Sequence, residues 1–164
     1  MAKSSVNQKR PRSAGPDETP EALRSRTMRA VKSKDTGPEM IVRRFLHAAG
    51  LRYRLHDSRL PGKPDLVFPS RRVALFVHGC FWHQHPGCPA AARPKSSSEY
   101  WTRKLDGNVA RDVRHQEALS VGGWTVLVIW ECETRNPEAL NALLKQIGLQ
   151  KSHPNSRLSS ASVA

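Results

Sequence analysis

The sequence is poor in acidic residues, in cysteines and in long apolar segments, and each shortage excludes a class of protein. No apolar run approaches the roughly 20 residues that a membrane-spanning helix needs, and the N-terminal segment has no apolar core of the kind found in secretory signals. We therefore expect a protein of the reducing cytoplasm with no membrane partner. Its three cysteines (Cys80, Cys88 and Cys132) are too few, and odd in number, for a disulfide framework there. Metal ligation and simple burial remain as the two roles for these cysteines.

The shortage of acids leaves a strong positive charge. The chain of 164 residues has 27 Lys and Arg against 14 Asp and Glu, a formal net charge of +13. An excess of this size suits a polyanionic partner, because contacts between basic side chains and phosphates release condensed counterions. A surface that serves solubility alone usually needs far less charge. The composition therefore predicts a nucleic acid as the partner, ahead of an anionic membrane surface.

The length fits one domain with room for tails. Residues 1–24 are rich in Ser, Pro, Lys and Arg, and we expect a disordered basic arm there. Residues 150–164 are predicted to form a disordered tail, which leaves residues 25–149 for a single domain. The periodic patterns within that domain predict the element order α-β-β-β-α-β-α, an α/β fold with a mixed sheet flanked by helices.

Turn residues and hydrophobic periodicity locate these elements. Thr36 and Glu39 have the spacing of a capping box, and Gly50 is typical of the position after a helix end. Apolar residues alternate from residue 51 to Leu55, which predicts a half-buried strand. In chain order we predict a helix over 37–49, strands over 51–57, 65–68 and 71–78, a helix over 97–120 that could break at Gly107, a strand over 124–131 covered on both faces, and a helix over 137–147.

Asp65 begins a predicted strand directly after a proline turn, in "PGKPDLVF". The next predicted strand ends in His78, so a carboxylate and a backbone carbonyl could meet at one edge of the sheet. Mg²⁺ prefers such oxygen ligands. For an isolated Pro-Asp, however, an ordinary turn residue is the commoner interpretation.

The stretch "HGCFWHQHPGC", residues 78–88, concentrates imidazoles and thiols. Cys80, His85 and Cys88, together with Cys132 after a later strand, could form a tetrahedral zinc site of the Cys3His type. His83 competes with His85 for the fourth position, and the spacing does not decide between them. Three unrelated buried cysteines are the alternative. An imidazole that zinc does not use, His78 included, could activate water near neutral pH or could be an ordinary surface histidine.

Phe81 and Trp82 lie between the proposed zinc ligands, where a small loop cannot bury both rings. Rigidly held rings of this kind can insert into a stack of bases. Trp101 could do the same, although core packing is the commoner fate of a tryptophan on a helix. The polar residues that follow on that helix, Lys104, Asn108 and Asp112 among them, are expected by default to form a solvated face.

Five segments in consistent order resemble one family. They are "RSRTMRAVKSKDTGPEM", "LPGKPDLVFP", "VALFVHGCFWHQHPGC", "EYWTRKLDGNVARD" and "GWTVLVIWEC", and they span residues 24–133. The family is that of the bacterial very short patch repair (Vsr) endonucleases. The resemblance implies a restriction-endonuclease-like fold of the PD-(D/E)xK superfamily. It also implies a Mg²⁺-dependent nick 5′ to the T of a T·G mismatch, which arises when 5-methylcytosine deaminates.

The resemblance also implies roles for the residues of the reaction. Asp65 looks like the Mg²⁺ ligand, with the backbone carbonyl of Val77 beside it, in a site for two catalytic Mg²⁺ ions. Related nucleases often have a Glu-x-Lys pair where this chain has "FVH", so His78 would take over part of that role. His83 resembles the general base. Glu39 and Asp112 would hold metal-bound waters.

The remaining implied roles concern zinc and DNA. The structural zinc would bind Cys80, His85, Cys88 and Cys132, which selects His85 over His83. The rings expected to wedge into DNA beside the mismatch are Phe81, Trp82 and Trp101, and the expected groove contacts are Met28, Lys104 and Asn108. We expect a monomer that is associated with the nucleoid when bound to duplex DNA, with mismatch-repair proteins as candidate further partners.

Two other functions are compatible with parts of the sequence. A zinc-stabilised DNA-binding module without catalysis would explain the charge and the cysteines, but it would leave Asp65, His78 and His83 without a role. A restriction-type nuclease that cuts both strands is the other alternative.

Overall fold

The computed structural model describes Thr19, Ala22 and residues 34–149. The chain divides into two units, residues 1–33 and residues 34–164. In the first unit the backbone N–H of Ala22 donates to Thr19 Oγ1 at 3.2 Å. The predicted basic arm, the domain start at residue 25 and the C-terminal tail otherwise lie outside the described residues and stay predictions.

The strands of the second unit form one mixed sheet of four strands. They are β1 (Arg54–Leu55), β2 (Leu66–Phe68), β3 (Val73–His78) and β4 (Thr125–Trp130), side by side in that order. β1 pairs antiparallel with β2, and β2 pairs antiparallel with β3. β3 and β4 are parallel, and a parallel pair requires a long crossover connection. Here that crossover carries a long helix and most of the residues of the candidate site.

Helices cover both faces of the sheet. They are α1 (Gly37–Ala48), α2 (Ser98–Val121) and α3 (Pro137–Leu149). Leu46 of α1 and Leu143 of α3 share a buried cluster with Leu75 of β3. The next residue of β3, Phe76, points to the opposite face and packs with Leu119 of α2. The predicted order α-β-β-β-α-β-α is therefore confirmed for the described residues, none of whose helices is long and apolar enough to cross a membrane.

β3 is the buried central strand, and β4 lies at the edge of the sheet. Residues 73–76 of β3 are all buried, whereas in β4 only Ile129 is buried. Both faces of β4 are nevertheless covered, since Leu127 packs against one cluster and Val126 against the other. The prediction of a strand covered on both faces is confirmed, with the partial exposure that an edge position brings.

Two of the predicted elements need correction. β1 consists of Arg54 and Leu55 alone, so the strand predicted over 51–57 is too long. Leu51 and Tyr53 are half-buried against the core, as the alternation predicted, but Leu55 is exposed. The chain leaves the sheet directly afterwards at His56, whose φ of +47° is left-handed. α2 runs without interruption past Gly107, where a break was considered.

The start of α1 is capped as predicted, but only by one half of a capping box. Thr36 Oγ1 accepts a hydrogen bond from the backbone N–H of Glu39 at 3.4 Å. The Glu39 carboxylate is turned inward instead of back to the cap, and Glu39 is only 2% exposed. A helix-starting residue has thus become part of the interior, and its contacts belong to the candidate site.

Two adjacent arginines before β3 hold the ends of two helices. Arg71 donates to the carbonyls of Ile147 and Gly148 at the end of α3. Arg72 donates to the carbonyls of Gly122 and Gly123, just after α2. A cation at a helix C-terminus satisfies free carbonyls and interacts favourably with the helix dipole. These contacts fix both helices to the strand that leads into the site.

We expect Arg72→Met to lower the free energy of unfolding by about 1–3 kcal/mol, because charged hydrogen bonds to two carbonyls are lost. Urea denaturation followed by circular dichroism measures the change. Arg114→Met is the control, since Arg114 is an exposed arginine of α2. Equal stability of the two variants would show that Arg72 does not hold the end of α2.

Candidate active site and metal centre

The parallel pairing of β3 and β4 brings two distant segments to one edge of the sheet. In this register His78 lies opposite Trp130. Cys80 follows His78 by two residues, and Cys132 follows Trp130 by two. The two cysteines are therefore delivered to the same place by strand pairing, although about fifty residues of sequence separate them.

Cys80, His85, Cys88 and Cys132 form one cluster in which all ligand atoms lie within 4.8 Å of one another. His85 Nδ1 lies 3.7 Å from Cys80 Sγ and 3.4 Å from Cys132 Sγ. Two successive turns fold the loop, because the N–H of His85 donates to the Cys80 carbonyl and the N–H of Cys88 donates to the His85 carbonyl. The three cysteines are free thiols. Of the two histidines that the spacing allowed, His85 is the one in this cluster.

The thiols of this cluster affect one another's ionisation. Desolvation, followed by hydrogen bonds with Cys80 and Cys88, raises the pKa of Cys132 to about 12. A thiol ligates metals as its thiolate, so a bound cation must stabilise the charge that the protein alone disfavours. The four side chains can hold a metal ion on these grounds.

Trp130 lies between this cluster and a second group of histidines. Its indole stacks on His85 with ring centroids 4.2 Å apart and an interplanar angle of 7°. It meets His78 edge-on at 5.3 Å. Since the stacked indole limits rotation of the His85 ring, it keeps Nδ1 directed at the thiols.

The second group consists of His78, His83 and Asp112. His83 Nδ1 lies 2.6 Å from Asp112 Oδ2, and the His83 ring stacks on His78 with centroids 3.9 Å apart. A carboxylate against one ring nitrogen sets the tautomer and the orientation of an imidazole. A neutral His83 would carry its proton on Nδ1 against this carboxylate, with Nε2 as the acceptor.

His78 is more deeply buried than His83. Burial, and then the neighbouring His83, lower the pKa of His78 to about 4, although Asp112 acts in the opposite direction. His78 is therefore a neutral imidazole near pH 7. It can exchange hydrogen bonds, but it cannot supply the positive charge that a lysine would supply.

Asp65 stands immediately before β2, at the edge where β3 ends. Its Oδ2 accepts a hydrogen bond from the backbone N–H of Val77 at 2.7 Å. The N–H and C=O of one strand residue face the same neighbouring strand, so the Val77 carbonyl is directed to the Asp65 side as well. The structure thus brings Asp65 and Val77 together as the resemblance implied, while Asp65 Oδ1 lies 3.9 Å from His56 Nδ1.

Burial raises the pKa of Asp65, and the hydrogen bond from Val77 opposes that rise. The carboxylate of Glu39 raises it further, whereas His56 and His83 lower it. Two carboxylates that share a partly buried place are stabilised by a cation between or beside them. Asp65 with the Val77 carbonyl therefore fits a divalent cation held by oxygen ligands.

Glu39 has two cationic or potentially cationic neighbours. Its Oε1 lies 3.4 Å from Arg43 Nη1 and 3.1 Å from His56 Nε2. Asp35, Glu39 and His56 also form a group of metal-ligand types. Arg43 pairs with both carboxylates of that group, so a guanidinium already neutralises them. The sequence patterns did not single out His56 or Arg43, because neither stands in a motif.

The rings expected to enter DNA form one half-buried cluster. Phe81 lies 4.9 Å from Trp82 and 5.3 Å from Trp101, measured between ring centroids. Trp101 therefore belongs to the surface cluster and not to the core. Tyr100, which sequence reasoning missed, extends the cluster at 5.3 Å from Trp101 and is 39% exposed.

A polar network fixes the turn that carries these rings. Gln84 Nε2 donates to the carbonyls of Phe81 and Ala91, and its Oε1 accepts from Arg93 Nε. Arg93 also pairs with Asp106 of α2. Neither Gln84 nor Arg93 was predicted, because hydrogen bonds from a loop side chain to backbone carbonyls leave no periodic pattern in a sequence.

The inner face of α2 borders His83 and the turn that carries the aromatic rings. Lys104, Asn108 and Asp112 are partly buried on it, so the expected solvated face is wrong for these three and holds for Arg111 and Arg114. Asn108 Nδ2 donates to the Trp82 carbonyl at 3.1 Å, which ties the helix to the aromatic turn. Met28, the third predicted groove contact, lies outside the described residues.

Comparison with known proteins places this site in a family. The sequence profile described as "DNA mismatch endonuclease Vsr" matches residues 17–88. The Type II nicking enzyme V.XorIIP of Xanthomonas oryzae is 53% identical over 120 residues, 73% of this chain and 88% of that protein. The DNA mismatch endonuclease Vsr of Escherichia coli is 42% identical over 119 residues, 73% of this chain and 76% of that protein.

A third relative is also similar over most of its length. The Type II nicking enzyme V.NmeAIP of Neisseria meningitidis is 41% identical over 128 residues, 76% of this chain and 91% of that protein. Identities of this size extend over most of each pair of chains, well beyond the reach of a shared motif. The chain therefore belongs to the Vsr family of DNA mismatch endonucleases.

Proposed function

We propose that this DNA mismatch endonuclease nicks one strand of duplex DNA 5′ to the T of a T·G mismatch, by Mg²⁺-dependent hydrolysis of a phosphodiester. The observation that carries the proposal is that Asp65 and the His83–Asp112 pair both lie at the end of β3, near enough for His83 to lower the pKa of Asp65. A carboxylate that fits a cation and an imidazole oriented as a base are the two parts that hydrolysis of a phosphodiester needs.

Asp65 and the Val77 carbonyl are the proposed Mg²⁺ ligands. Mg²⁺, when bound, stabilises the negative charge that develops on the phosphate. His83 Nε2 accepts a proton from the attacking water, whose oxygen bonds to phosphorus as the bond to the leaving oxygen breaks; that oxygen takes its proton from solvent. Asp112 holds the His83 ring at 2.6 Å and stabilises the imidazolium that forms.

His78 acts in this proposal without a charge. Its pKa of about 4 keeps the buried ring neutral, and it stacks beneath His83. His78 therefore supports the base and offers a hydrogen bond, and it does not replace the cation of a Glu-x-Lys pair. Glu39, which is buried beside Asp65, is proposed to hold a water molecule bound to the metal ion.

The fold assignment to the PD-(D/E)xK superfamily rests on the same two strands. Asp65 precedes β2, and Val77 and His78 end the antiparallel neighbour β3. This arrangement gives an acidic side chain before one strand of the pair, and a backbone carbonyl and an imidazole at the end of the other, with helices on both faces of a mixed sheet. It supports the superfamily assignment that the sequence implied.

We also propose that the Cys3His cluster binds one structural Zn²⁺. Zinc–sulfur bonds of about 2.3 Å and zinc–nitrogen bonds of about 2.0 Å at tetrahedral angles separate sulfur and nitrogen by roughly 3.5 Å. The separations from His85 Nδ1 are 3.7 Å to Cys80 Sγ and 3.4 Å to Cys132 Sγ. The donor set and its spacing both support zinc over a hard cation.

Duplex DNA is the proposed substrate because charge and aromatic surface occur together. The net charge of +13 supplies phosphate contacts that do not depend on sequence. The cluster of Phe81, Trp82 and Trp101 supplies rings that can enter the stack. A wobble T·G pair is easier to unstack than a Watson–Crick pair, so ring insertion favours the mismatch. A DNA-binding module without catalysis would leave the His83–Asp112 pair unexplained.

We expect Asp65→Asn to abolish nicking of a T·G duplex while binding of the same duplex is retained, because the change removes a metal ligand and little packing. Gel electrophoresis of end-labelled duplex in Mg²⁺ measures nicking, and fluorescence anisotropy measures binding. Glu117→Gln, which alters an exposed carboxylate of α2, is the control. Full nicking by Asp65→Asn would remove Asp65 from the metal site.

We expect one zinc per chain in protein purified without chelator, and we expect Cys132→Ser to lose it. Structural zinc contributes directly to folding, and a loss of even 1 kcal/mol lowers the unfolding temperature by about 4 °C. Elemental analysis and thermal unfolding measure both effects. All three cysteines belong to the cluster, so wild-type protein treated with chelator is the comparison. Wild-type protein that contains no zinc when purified without chelator would contradict the assignment of a zinc site. Retention of zinc by Cys132→Ser would contradict it as well.

We expect the double change Phe81→Ala, Trp82→Ala to weaken mismatch binding more than binding to paired duplex. Stacking of an aromatic ring on a base contributes on the order of 1–3 kcal/mol, which is about fivefold to a hundredfold in affinity. Competition binding at several salt concentrations measures the ratio, and the salt slope should stay unchanged because phosphate contacts remain. If the double variant keeps its zinc and its full preference for the T·G duplex, these rings serve packing and do not enter the DNA.

A further inference from the structure

His56 occupies an unusual position in this site. It follows the last residue of β1 with a φ of +47°, which an L side chain rarely adopts. Its backbone N–H donates to the carbonyl of Asp65 at 3.3 Å, so the two residues are joined through the backbone as well. Because of this left-handed turn, the His56 side chain does not follow the alternating directions of the strand's side chains, and it lies in the site. Backbone strain of this kind is concentrated where structure serves function.

The His56 imidazole lies between the two carboxylates of the site. Nε2 lies 3.1 Å from Glu39 Oε1, and Nδ1 lies 3.9 Å from Asp65 Oδ1. Glu39 Oε1 is also paired with Arg43, and Asp65 Oδ2 accepts a hydrogen bond from the N–H of Val77. Within the described residues, these contacts make His56 the side chain that links Glu39 to Asp65.

The link is incomplete in one respect. His56 Nε2 is the buried side-chain polar atom without an aligned hydrogen bond among the described residues, despite its short distance to Glu39. Buried polar atoms are nearly always satisfied, so an exception at a site points to a group that settles when a ligand binds. A small shift of Glu39 or of the ring would align this bond.

Resting on the metal site proposed above, we propose that His56 is a positioning residue of the nicking centre. Its imidazole spans Glu39 and Asp65 and fixes the distance between the two carboxylates on which cation binding depends. It touches neither DNA nor the reacting phosphate in this role. Groups that orient a metal's ligands commonly contribute ten- to a hundredfold to metal affinity or activity.

Two substitutions separate this role from a purely structural one. His56→Asn suits the left-handed backbone, since Asn tolerates positive φ, but its side chain is too short to span the carboxylates. His56→Gln suits that backbone less well, yet its amide reaches further. A structural role therefore predicts that Asn is the better replacement, whereas a positioning role predicts that Gln is. His47→Gln is the control, because His47 is an exposed histidine of α1.

The first readout is Mn²⁺ binding to the zinc-loaded protein without DNA, measured by electron paramagnetic resonance of free Mn²⁺, with Asp65→Asn as the baseline. We expect His56→Asn to weaken the Asp65-dependent binding about ten- to a hundredfold and His56→Gln to recover part of it. The second readout is nicking of a T·G duplex, where kcat should follow the same order while KM for DNA stays unchanged. Thermal unfolding should show His56→Asn at least as stable as His56→Gln.

Wild-type Mn²⁺ affinity and kcat in His56→Asn would overturn the proposal. So would equal losses in both variants, or Mn²⁺ binding that is unaffected by Asp65→Asn. If the wild-type protein does not nick the mismatched duplex at all, the proposed function fails, but the order of Mn²⁺ affinities still decides whether His56 positions the carboxylates.

Discussion

The parallel pairing of β3 with β4 is the constraint on which both the Cys3His cluster and the proposed catalytic group depend. It places His78 opposite Trp130, and the chain then continues from each strand into a cysteine two residues later. A shift of one residue in this register would place His78 and Trp130 on opposite faces of the sheet and separate Cys80 from Cys132. Burial of both faces of β3 against α1, α2 and α3 makes such a shift costly.

A continuous series of rings joins the two centres across this strand pair. His85 stacks on Trp130, Trp130 meets His78 edge-on, and His78 stacks on His83. The cluster that fits zinc thus borders the proposed base through packed aromatic contacts. The same loop carries Phe81 and Trp82, so the proposed zinc ligands, the proposed base and the rings proposed to enter DNA share one short stretch of chain.

Most elements of the fold could be predicted from the sequence, because helix caps and buried strands leave strong local patterns. Thr36 and Gly50 marked α1, and the apolar runs marked β3 and β4. The partial burial of the inner face of α2 could not be predicted, since Lys104, Asn108 and Asp112 stand there in place of apolar residues. The proposed site residues came mainly from the family resemblance. His56, Gln84 and Tyr100 escaped because their contacts depend on tertiary structure, and in His56 on a left-handed turn that no propensity favours.

We propose that strand pairing assembles a centre for nicking DNA at a T·G mismatch. The most direct measurement compares two end-labelled duplexes that differ only in T·G against C·G at one position, incubated with the full-length, zinc-loaded protein and Mg²⁺. We expect a single nick, on the strand that contains the mismatched T and immediately 5′ to it, with the paired duplex left intact. Equal cleavage of the two duplexes, or cleavage of both strands, would contradict it.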